Sequence, residues 1–581
     1  MVPTPRSFEH LVLDRLAAQV GARYVLTRPS DIEPFVTGIR FGAGNALAVV
    51  QPGSLVELWR VLQVCSHAKL IVIPQAANTG LTGGSTPDGD DYDRPVVVIS
   101  MRRLATVRLL QGGRQVLCLP GATLHQLERM LKPLGRAPHS EIGSSCIGAS
   151  VIGGVCNNSG GALLRRGPAY TELAMYARID ARGQLQLVNH LGIELPPDEE
   201  EAIQLVETGR FDDDLVSWRG AASDPDYAQH VRDVEAETPA RFNADPRRLH
   251  EASGSAGKLV VIAVRLDTFA LDTGAAVFHL ATDQESVLTD VRRHVLQHFR
   301  HLPIAAEYIH RDAMQMASDH GRDMFWLIRT LGTQRLPLLF SLKSRLDRLA
   351  RRWCGPGISD RLLQAASRFL PPNLPARPRA LAQRYEHHLL LKVPHDGLEE
   401  ARAFLRARFH AARTGEYLEC DAAEGERLFL HRFVAAGAAN RFRAVHPETV
   451  EDIVAFDVAL RRNDQAWHLP LDADLAPRVQ HALRYGHFFC HVFHLDYIVK
   501  KGEDTERIKR RLAEMFDRKG AEYPAEHNVG HQYRAKPALA RFYRELDPCN
   551  CFNPGIGKLP KYFRYADEAN TNPATPIGRQ A

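Results

Sequence analysis

Cysteine is scarce: nine in 581 residues, at positions 65, 118, 146, 156, 354, 420, 490, 549 and 551, with no CxxC pair. That is too few and too scattered for a disulfide scaffold, and it predicts reduced thiols of a cytosolic protein. Long apolar runs are missing as well. None nears the ~20 residues of a membrane span. The opening MVPTPRSFEHLVLDRLAA places Arg6, Glu9, His10, Asp14 and Arg15 where a signal peptide would be apolar. The expectation is a protein without signal peptide or transmembrane helix, either soluble or lying on a membrane surface. A large charge of one sign is lacking too: the net charge is +5, so the molecule as a whole is not a polyanion binder. No G-x-x-x-x-G-K-[ST] occurs, which argues against a P-loop nucleotidase, and the glycine clusters do not form G-x-G-x-x-G between a strand and a helix.

What remains is an ordinary globular composition, 45% hydrophobic and 24% charged. The length predicts more than one core, because single cores stop growing near ~250–300 residues. Two stretches organise the chain: Pro74–Pro87, PQAANTGLTGGSTP, and Gly143–Gly161, GSSCIGASVIGGVCNNSGG. Rich in Gly, Ser, Thr and Asn, they let backbone N–H groups approach a ligand closely, as a diphosphate requires. Around them the pattern predicts a helix over 8–20 and strands at 46–50, 70–73, 95–100, 115–119 and 258–267. Ser54…Glu57 and Thr123…Gln126 are capping boxes, opening helices that run to about 68 and 131. Strand-like alternation resumes over 175–190, whereas 196–250 reads as a polar, solvated loop. Beyond it, helices are expected at 285–302, 398–411 and within 419–433, and strands at 388–393 and 485–499. Mixed in this way, the elements predict an α+β protein.

Loop one, loop two (IGASVIGGVCNNSGG) and the intervening LPGATLHQLERMLKPLG resemble the flavin domain of the vanillyl-alcohol oxidase (PCMH-type) family. YPAEHNVGH at 523–531, NPGIGK at 553–558 and EHHLLLK at 386–392 are similar to motifs of that family's D-2-hydroxy-acid dehydrogenases. The likeness is greatest to the respiratory, quinone-dependent branch that acts on D-lactate. It implies a PCMH-type FAD-binding domain over 1–267 and a discontinuous α+β cap over 268–309 and 387–518. A basic, helical membrane-binding insert at 310–386 and a C-terminal segment, 519–581, that returns to the flavin domain complete the expected organisation. FAD contacts are implied for Ala76, Ala77, Asn78, Thr79, Gly80, Gly84 and Ser85 of the first loop. Gly143, Ser150 and Gly160 of the second, and Val261 of the closing strand, would add to them. Members that tether FAD covalently use a His in the first loop. This loop has none, so the FAD is expected to be non-covalent.

Oxidising an α-hydroxy acid needs a base for the hydroxyl proton and a cation for the carboxylate. His527, in Glu526-His527-Asn528 where the family has Glu-His-Gly, is the expected base, with His531 behind it. Arg432 sits where relatives bind the substrate carboxylate; Arg441, Arg443, Lys392 and Arg40 are further cations. Relatives hold a divalent metal between two histidines seven apart and the Glu of Glu-His. Here His487, His494 and Glu526 would form that set, for an ion such as Zn or Mn. The relatives' Asp-Gly-Asn between the histidines is replaced by Cys490-His491-Val492. Within one strand, positions seven apart face opposite sides, so both histidines reach one ion only across a bend or bulge. A pair of hydrogen-bonding histidines without metal is the alternative.

Residues 333–384 hold eleven Lys and Arg against two acidic side chains, interleaved with Leu, Phe and Trp, while the rest of the chain is net negative. Such a segment suits an anionic phospholipid surface, where each cation contributes about 1 kcal/mol. A solvated basic face is the bland reading, and nucleic acid is not expected. The resemblance implies a peripheral enzyme on the cytoplasmic face of the inner membrane that oxidises D-lactate to pyruvate and passes electrons to ubiquinone. Alternatives are a dehydrogenase of another D-2-hydroxy acid with a different acceptor, and a flavin-binding membrane scaffold without activity.

Overall fold

A computed structural model describes residues 7–139, 148–332, 358–412 and 414–566. Gly143 and most of the basic stretch, 333–357, lie outside the described residues.

Three large sheets and a two-stranded ribbon build the described residues. In the first, β1 (Val25–Leu26), β2 (Ala48–Val50), β3 (Ile71–Gln75) and β4 (Val96–Ser100) lie in the order β1-β2-β4-β3. The pairs β2·β4 and β3·β4 are parallel. Parallel strands buried on both faces read as unbroken Val/Ile runs, and β2 and β4 are buried at every position. The helices Phe8–Val20 and Leu55–His67 cover this sheet with Val12, Leu16, Leu58, Trp59 and Leu62. Ser54 caps the second of these by accepting from the Glu57 N–H. Glu57 in turn accepts from Gly53, one residue ahead of the cap.

The second sheet contains β5 (Val107–Leu110), β6 (Gln115–Cys118), β8 (Ala174–Ile179), β9 (Leu185–Asn189) and β10 (Val260–Asp267), in the order β5-β6-β10-β8-β9. All its pairs are antiparallel. A two-stranded ribbon joins β7 (Arg136–Ala137) to β11 (Phe269–Ala270). The alternation over 175–190 is therefore a hairpin of two strands. Residues 196–250 are not a solvated loop: they contain the helices Glu199–Thr208 and Tyr227–Arg232 and bury Ile203, Val206, Tyr227, Val231 and Arg241. Their polar composition masks an apolar stripe on each short helix.

The third sheet has seven antiparallel strands: β12 (Ala276–Thr282), β13 (Ala305–His310), β14 (His387–Val393), β15 (Glu416–Glu419), β16 (Val450–Ala459), β17 (Val479–His487) and β18 (Val492–Lys500). Their order is β15-β12-β14-β13-β17-β18-β16. Helices Glu285–His298 and Leu398–Ala412 pack on one face, and Arg311–His320 and Ala422–Val445 on the other. The expected single strand over 485–499 is instead a hairpin. The chain reverses at Phe488–Cys490 and His491, which adopts φ 54°, and β17 and β18 pair with His487 opposite Val492. The C-terminal segment leaves this sheet and returns to the first one, where Phe552 bridges to Val72.

Candidate active site

Strand pairing lines up a row of polar side chains across the third sheet. Glu307 of β13 lies opposite His487 of β17, and Asp457 of β16 lies opposite His494 of β18. Because of the hairpin, His487 and His494 stand on the same face: His487 is opposite Val492, two residues from His494. The chain reversal thus supplies the bend that seven-residue spacing demands. Residues 522–526 run beside β16, with Glu522 and Ala459 exchanging backbone hydrogen bonds, and bring Glu526 over the row. Glu526 N–H donates to Asp457 Oδ2 at 2.6 Å.

The contacts are tight. His487 Nδ1 stands 2.6 Å from Glu307 Oε1, and its Nε2 stands 3.2 Å from Glu526 Oε2 and 3.5 Å from His494 Nε2. Arg241 donates to Glu526 Oε1 and to the Gly161 carbonyl, both at 2.6 Å. Arg432, on Ala422–Val445, pairs with Glu307 Oε2 at 3.1 Å and lies over the Tyr485 ring, whose hydroxyl donates to Asp496. One donor atom each of His487, His494 and Glu526 lies within 4.8 Å of the others. Two imidazoles and a carboxylate fit a d-block ion, and such an ion would displace the proton that His487 Nε2 directs at Glu526.

Burial alone would lower His487, but Glu307 and Glu526 reverse this and raise it to about 10. Burial likewise works to raise Glu526, yet His487 and Arg241 hold it well below the usual carboxylate range. Asp457 goes the other way, pushed up to about 8 by burial and the facing Glu526. His494 is pushed far down, by burial and the His487 cation. His527 is also lowered, chiefly by burial. Its side chain is nonetheless 37% exposed, more than any other member of the group, and its Nε2 is 4.0 Å from Asp457 Oδ2. Arg40, on the exposed rim, is near enough for its charge to act on His527, Tyr485 and Asp496.

Of the expected residues, His527, Arg432, His487, His494 and Glu526 come together. Arg441 and Arg443 do not: the first pairs with Asp323 and Asp360, the second with Asp452. Glu307, Asp457 and Arg241 were not anticipated. A lone acid inside an apolar strand, as in AAEYIH and IVAFDVA, is the signal that would have found the first two.

Immediately beside this cluster stand the two glycine-rich loops. Gln75 donates to the carbonyls of Phe35 and Ser85, and Asn78 to those of Pro34 and Thr37, while Ser85 donates to Asn78. These bonds hold Ala76, Ala77, Asn78 and Thr79 in an arch with Gly80 at its open side, where an added Cβ would meet no atom within 4 Å. Gly84 abuts the Asn528 side chain, and Gly160 abuts Glu526 and Arg241. Ser150 caps the short turn of helix Val151–Cys156, and Val261 is buried beside a bulge in β10. The Asn528 amide spans the loops: Oδ1 accepts from Thr82 Oγ1 at 3.1 Å and Nδ2 donates to Asn157 Oδ1 at 2.6 Å. His531 and Asn553 add bonds to the carbonyls of Thr86 and Gly84. Gln75 Oε1, Asn158 Oδ1, Ser255 Oγ and Asn553 Oδ1 are buried without a partner. The open glycine faces of the two loops fit the diphosphate of FAD, while the unpartnered amide oxygens are acceptors suited to N–H and O–H groups of a ligand.

The described part of the insert includes the helix Ile358–Ser367, which exposes Leu362 and Leu363 and is followed by Phe369, 92% exposed. Among the described residues no helix is long and apolar enough to cross a membrane.

A family model described as FAD binding domain matches residues 46–188, and one described as D-lactate dehydrogenase, membrane binding, matches residues 277–565. Among solved structures, p-cresol methylhydroxylase (TM-score 0.56, 11% identity, 96% of this chain and 98% of that one) and alkyldihydroxyacetonephosphate synthase (TM-score 0.56, 12% identity, 95% and 86%) share the fold. The quinone-dependent D-lactate dehydrogenase of Haemophilus influenzae is 52% identical over 96% of this chain and 99% of its own length. That of Escherichia coli K12 is 52% identical over 94% and 96%, and that of Corynebacterium glutamicum 41% over 94% and 96%. Spanning nearly the whole chain, flavin loops and charged cluster alike, that likeness makes this protein an FAD-dependent oxidoreductase of PCMH-type fold that belongs to the quinone-dependent D-lactate dehydrogenase family.

Proposed function

We propose that this protein oxidises D-lactate to pyruvate and delivers the two electrons to ubiquinone. Support comes above all from one three-residue stretch. Glu526 is anchored in the buried charge cluster, Asn528 is anchored to both glycine loops, and His527 between them is open to solvent. Any group on His527 is thereby held between the charged cluster and the flavin cradle.

The reaction removes the hydroxyl proton and the C2 hydride of the substrate. Non-covalent FAD, when bound, accepts the hydride. His527 takes the proton: burial lowers its pKa and keeps the imidazole neutral and basic near pH 7. The charge of the neighbouring Glu526 carboxylate favours that imidazole as it becomes protonated, whereas Asp457, 4.0 Å away, is beyond hydrogen-bond reach. Arg432 and the rim cation Arg40 attract the carboxylate. Arg432 Nε is buried without a partner, so the guanidinium has a donor left after pairing with Glu307. A Zn or Mn ion, if present, would be held by His487, His494 and Glu526. The flavin contacts fall to Ala76–Gly80, Gly84, Ser85, Ser150, Gly160 and Val261, with Gly143 in the segment outside the described residues.

The basic insert, with Leu362, Leu363 and Phe369 exposed beside Arg361 and Arg368, holds the enzyme on an anionic membrane surface, at the cytoplasmic face. Sedimentation with anionic vesicles at low and high salt checks this: binding should weaken with salt, and absence of binding at both salts refutes it. Anaerobic mixing of the yellow protein with D-lactate, L-lactate and D-2-hydroxyglutarate tests the reaction. D-Lactate should bleach the flavin fastest, and His527→Gln should slow bleaching without loss of FAD. No bleaching by D-lactate, or preference for another hydroxy acid, overturns the reading.

A further inference from the structure

Behind the active-site row, the opposite face of the third sheet carries a second group of donors. Side chains alternate along β13, so Tyr308 and His310 face away from Glu307. There Glu285, the first residue of helix Glu285–His298, meets His387, the first residue of β14, and His468, from the connection between β16 and β17. One ligand atom of each lies within 4.8 Å of the other two. The His387 ring is held by the Tyr308 hydroxyl at its Nδ1, 2.8 Å away, which leaves Nε2 to a ligand. His468 Nδ1 is buried, 3.1 Å from Glu285 Oε1, yet makes no hydrogen bond. His310 stands edge-on to both other imidazoles, at 5.5 and 6.1 Å between ring centres. Burial lowers His387 to about 4 and His468 to about 3, so both are neutral at pH 7, the form that binds metal.

We propose that Glu285, His387 and His468 form a binding site for a divalent d-block ion of the Zn2+ class, separate from the active-site cluster. Two nitrogens and a carboxylate, with a fourth position left for water or His310, suit such an ion better than Ca2+ or Mg2+. Arg484 sits nearby, bonded to the Leu469 carbonyl, and its charge opposes any weakly held cation. The position gives the site a purpose. His310 ends β13 and His387 starts β14, and the whole membrane-binding insert runs between them. At its stem Arg311 N–H donates to the Glu386 carbonyl at 2.8 Å. An ion here ties that stem to the helix Glu285–His298 and to the connection carrying His468, fixing the insert against the cap.

The site does not depend on the D-lactate reading, and metal content tests it directly. Full-length, FAD-loaded protein is stripped with chelator, dialysed against Zn2+, freed of excess metal and analysed for zinc per chain. His468→Ala and Glu285→Gln should each hold one equivalent fewer than the unaltered protein. His494→Ala, which alters only the active-site cluster, should still lose one further equivalent when Glu285→Gln is added to it. Should His468→Ala fail to fold, Glu285→Gln decides alone. Equal zinc in Glu285→Gln and the unaltered protein overturns the proposal.

Discussion

Gly160→Ala tests whether the second glycine-rich loop and the charged cluster form one working unit. The backbone of Gly160 needs no unusual dihedral, so any effect comes from the added methyl group. Its Cβ would lie 2.5 Å from Glu526 Oε1 and 3.0 Å from the Nε and Cζ of Arg241. An ordinary carbon–oxygen contact is about 3.4 Å, so Glu526 must retreat by about 0.9 Å. It has nowhere easy to go. The pair with Arg241 is buried, at 8% and 2% exposure, and the other carboxylate oxygen faces His487. Because Glu526 precedes His527 in the chain, the shift is passed to the base. Displacement of a reacting group by about 1 Å costs about 10²-fold in rate, equivalent to about 2.7 kcal/mol of barrier. Measured per bound flavin, kcat/KM for D-lactate should fall about a hundredfold while the protein stays folded. A value within threefold of the unaltered enzyme would refute the coupling of loop and cluster.

Gly80→Ala is the counterpart: no protein atom lies near the new methyl, so thermal stability should move by no more than about 1 °C, while FAD affinity drops about tenfold. Unchanged affinity would show that the open side of the arch is not the cofactor face. Asn528→Ala removes two buried hydrogen bonds between the loops, worth about 1 kcal/mol each. FAD should bind about tenfold to thirtyfold more weakly, read from flavin fluorescence on dilution; an unaltered dissociation constant counts against the bridge. Acid should destabilise the cap through the buried pair His279 and His388, joined at 3.1 Å. Burial lowers His279 from 6.5 to about 3 and His388 well below its usual value. The unfolded chain therefore binds more protons below pH 6.5. Stability is complete above that pH and declines by about 1.4 kcal/mol per pH unit per histidine on acidification, for His279 down to about pH 3. Unfolding free energies from urea titrations between pH 7.5 and 5 should decline in this sense, and His279→Gln should reduce the slope by one histidine's share, about 1.4 kcal/mol per pH unit; an equal slope in the variant refutes the assignment.

The flavin half of the molecule was the more legible in the sequence. β2, β3, β4, β6 and β10 appear within about two residues of their expected positions, because strands buried on both faces must be runs of Val and Ile. Ser54 and Thr123 accept the N–H bonds their spacing predicts, but the return half of each box is not made: Glu57 accepts from Gly53 and Gln126 donates to the Ala105 carbonyl. The cap was harder to read. Turns are normally marked by Gly, Pro or Asn, but the reversal between β17 and β18 is made by Phe488, Phe489, Cys490 and His491. That turn is buried in the aromatic cluster of Tyr308, Trp467 and Phe493, so it carries core residues and its sequence reads as a continuing strand. Arg241 was hidden for the converse reason. It lies in a stretch polar enough to pass for a surface loop, yet it is among the most buried side chains.

By itself, then, the sequence determined the local chemistry: two loops able to hold a diphosphate, a Glu-His pair, two histidines seven apart and a basic insert. Those are properties of short segments, and backbone freedom and side-chain type suffice to express them. Only the tertiary structure decided how they meet. It folds the two histidines onto one face through a buried hairpin. It draws Glu307 and Asp457 from other strands into the same row, and inserts Arg241 against Glu526. Charges brought together from five separated segments and removed from water set one another's protonation, and no single stretch of the chain contains that information.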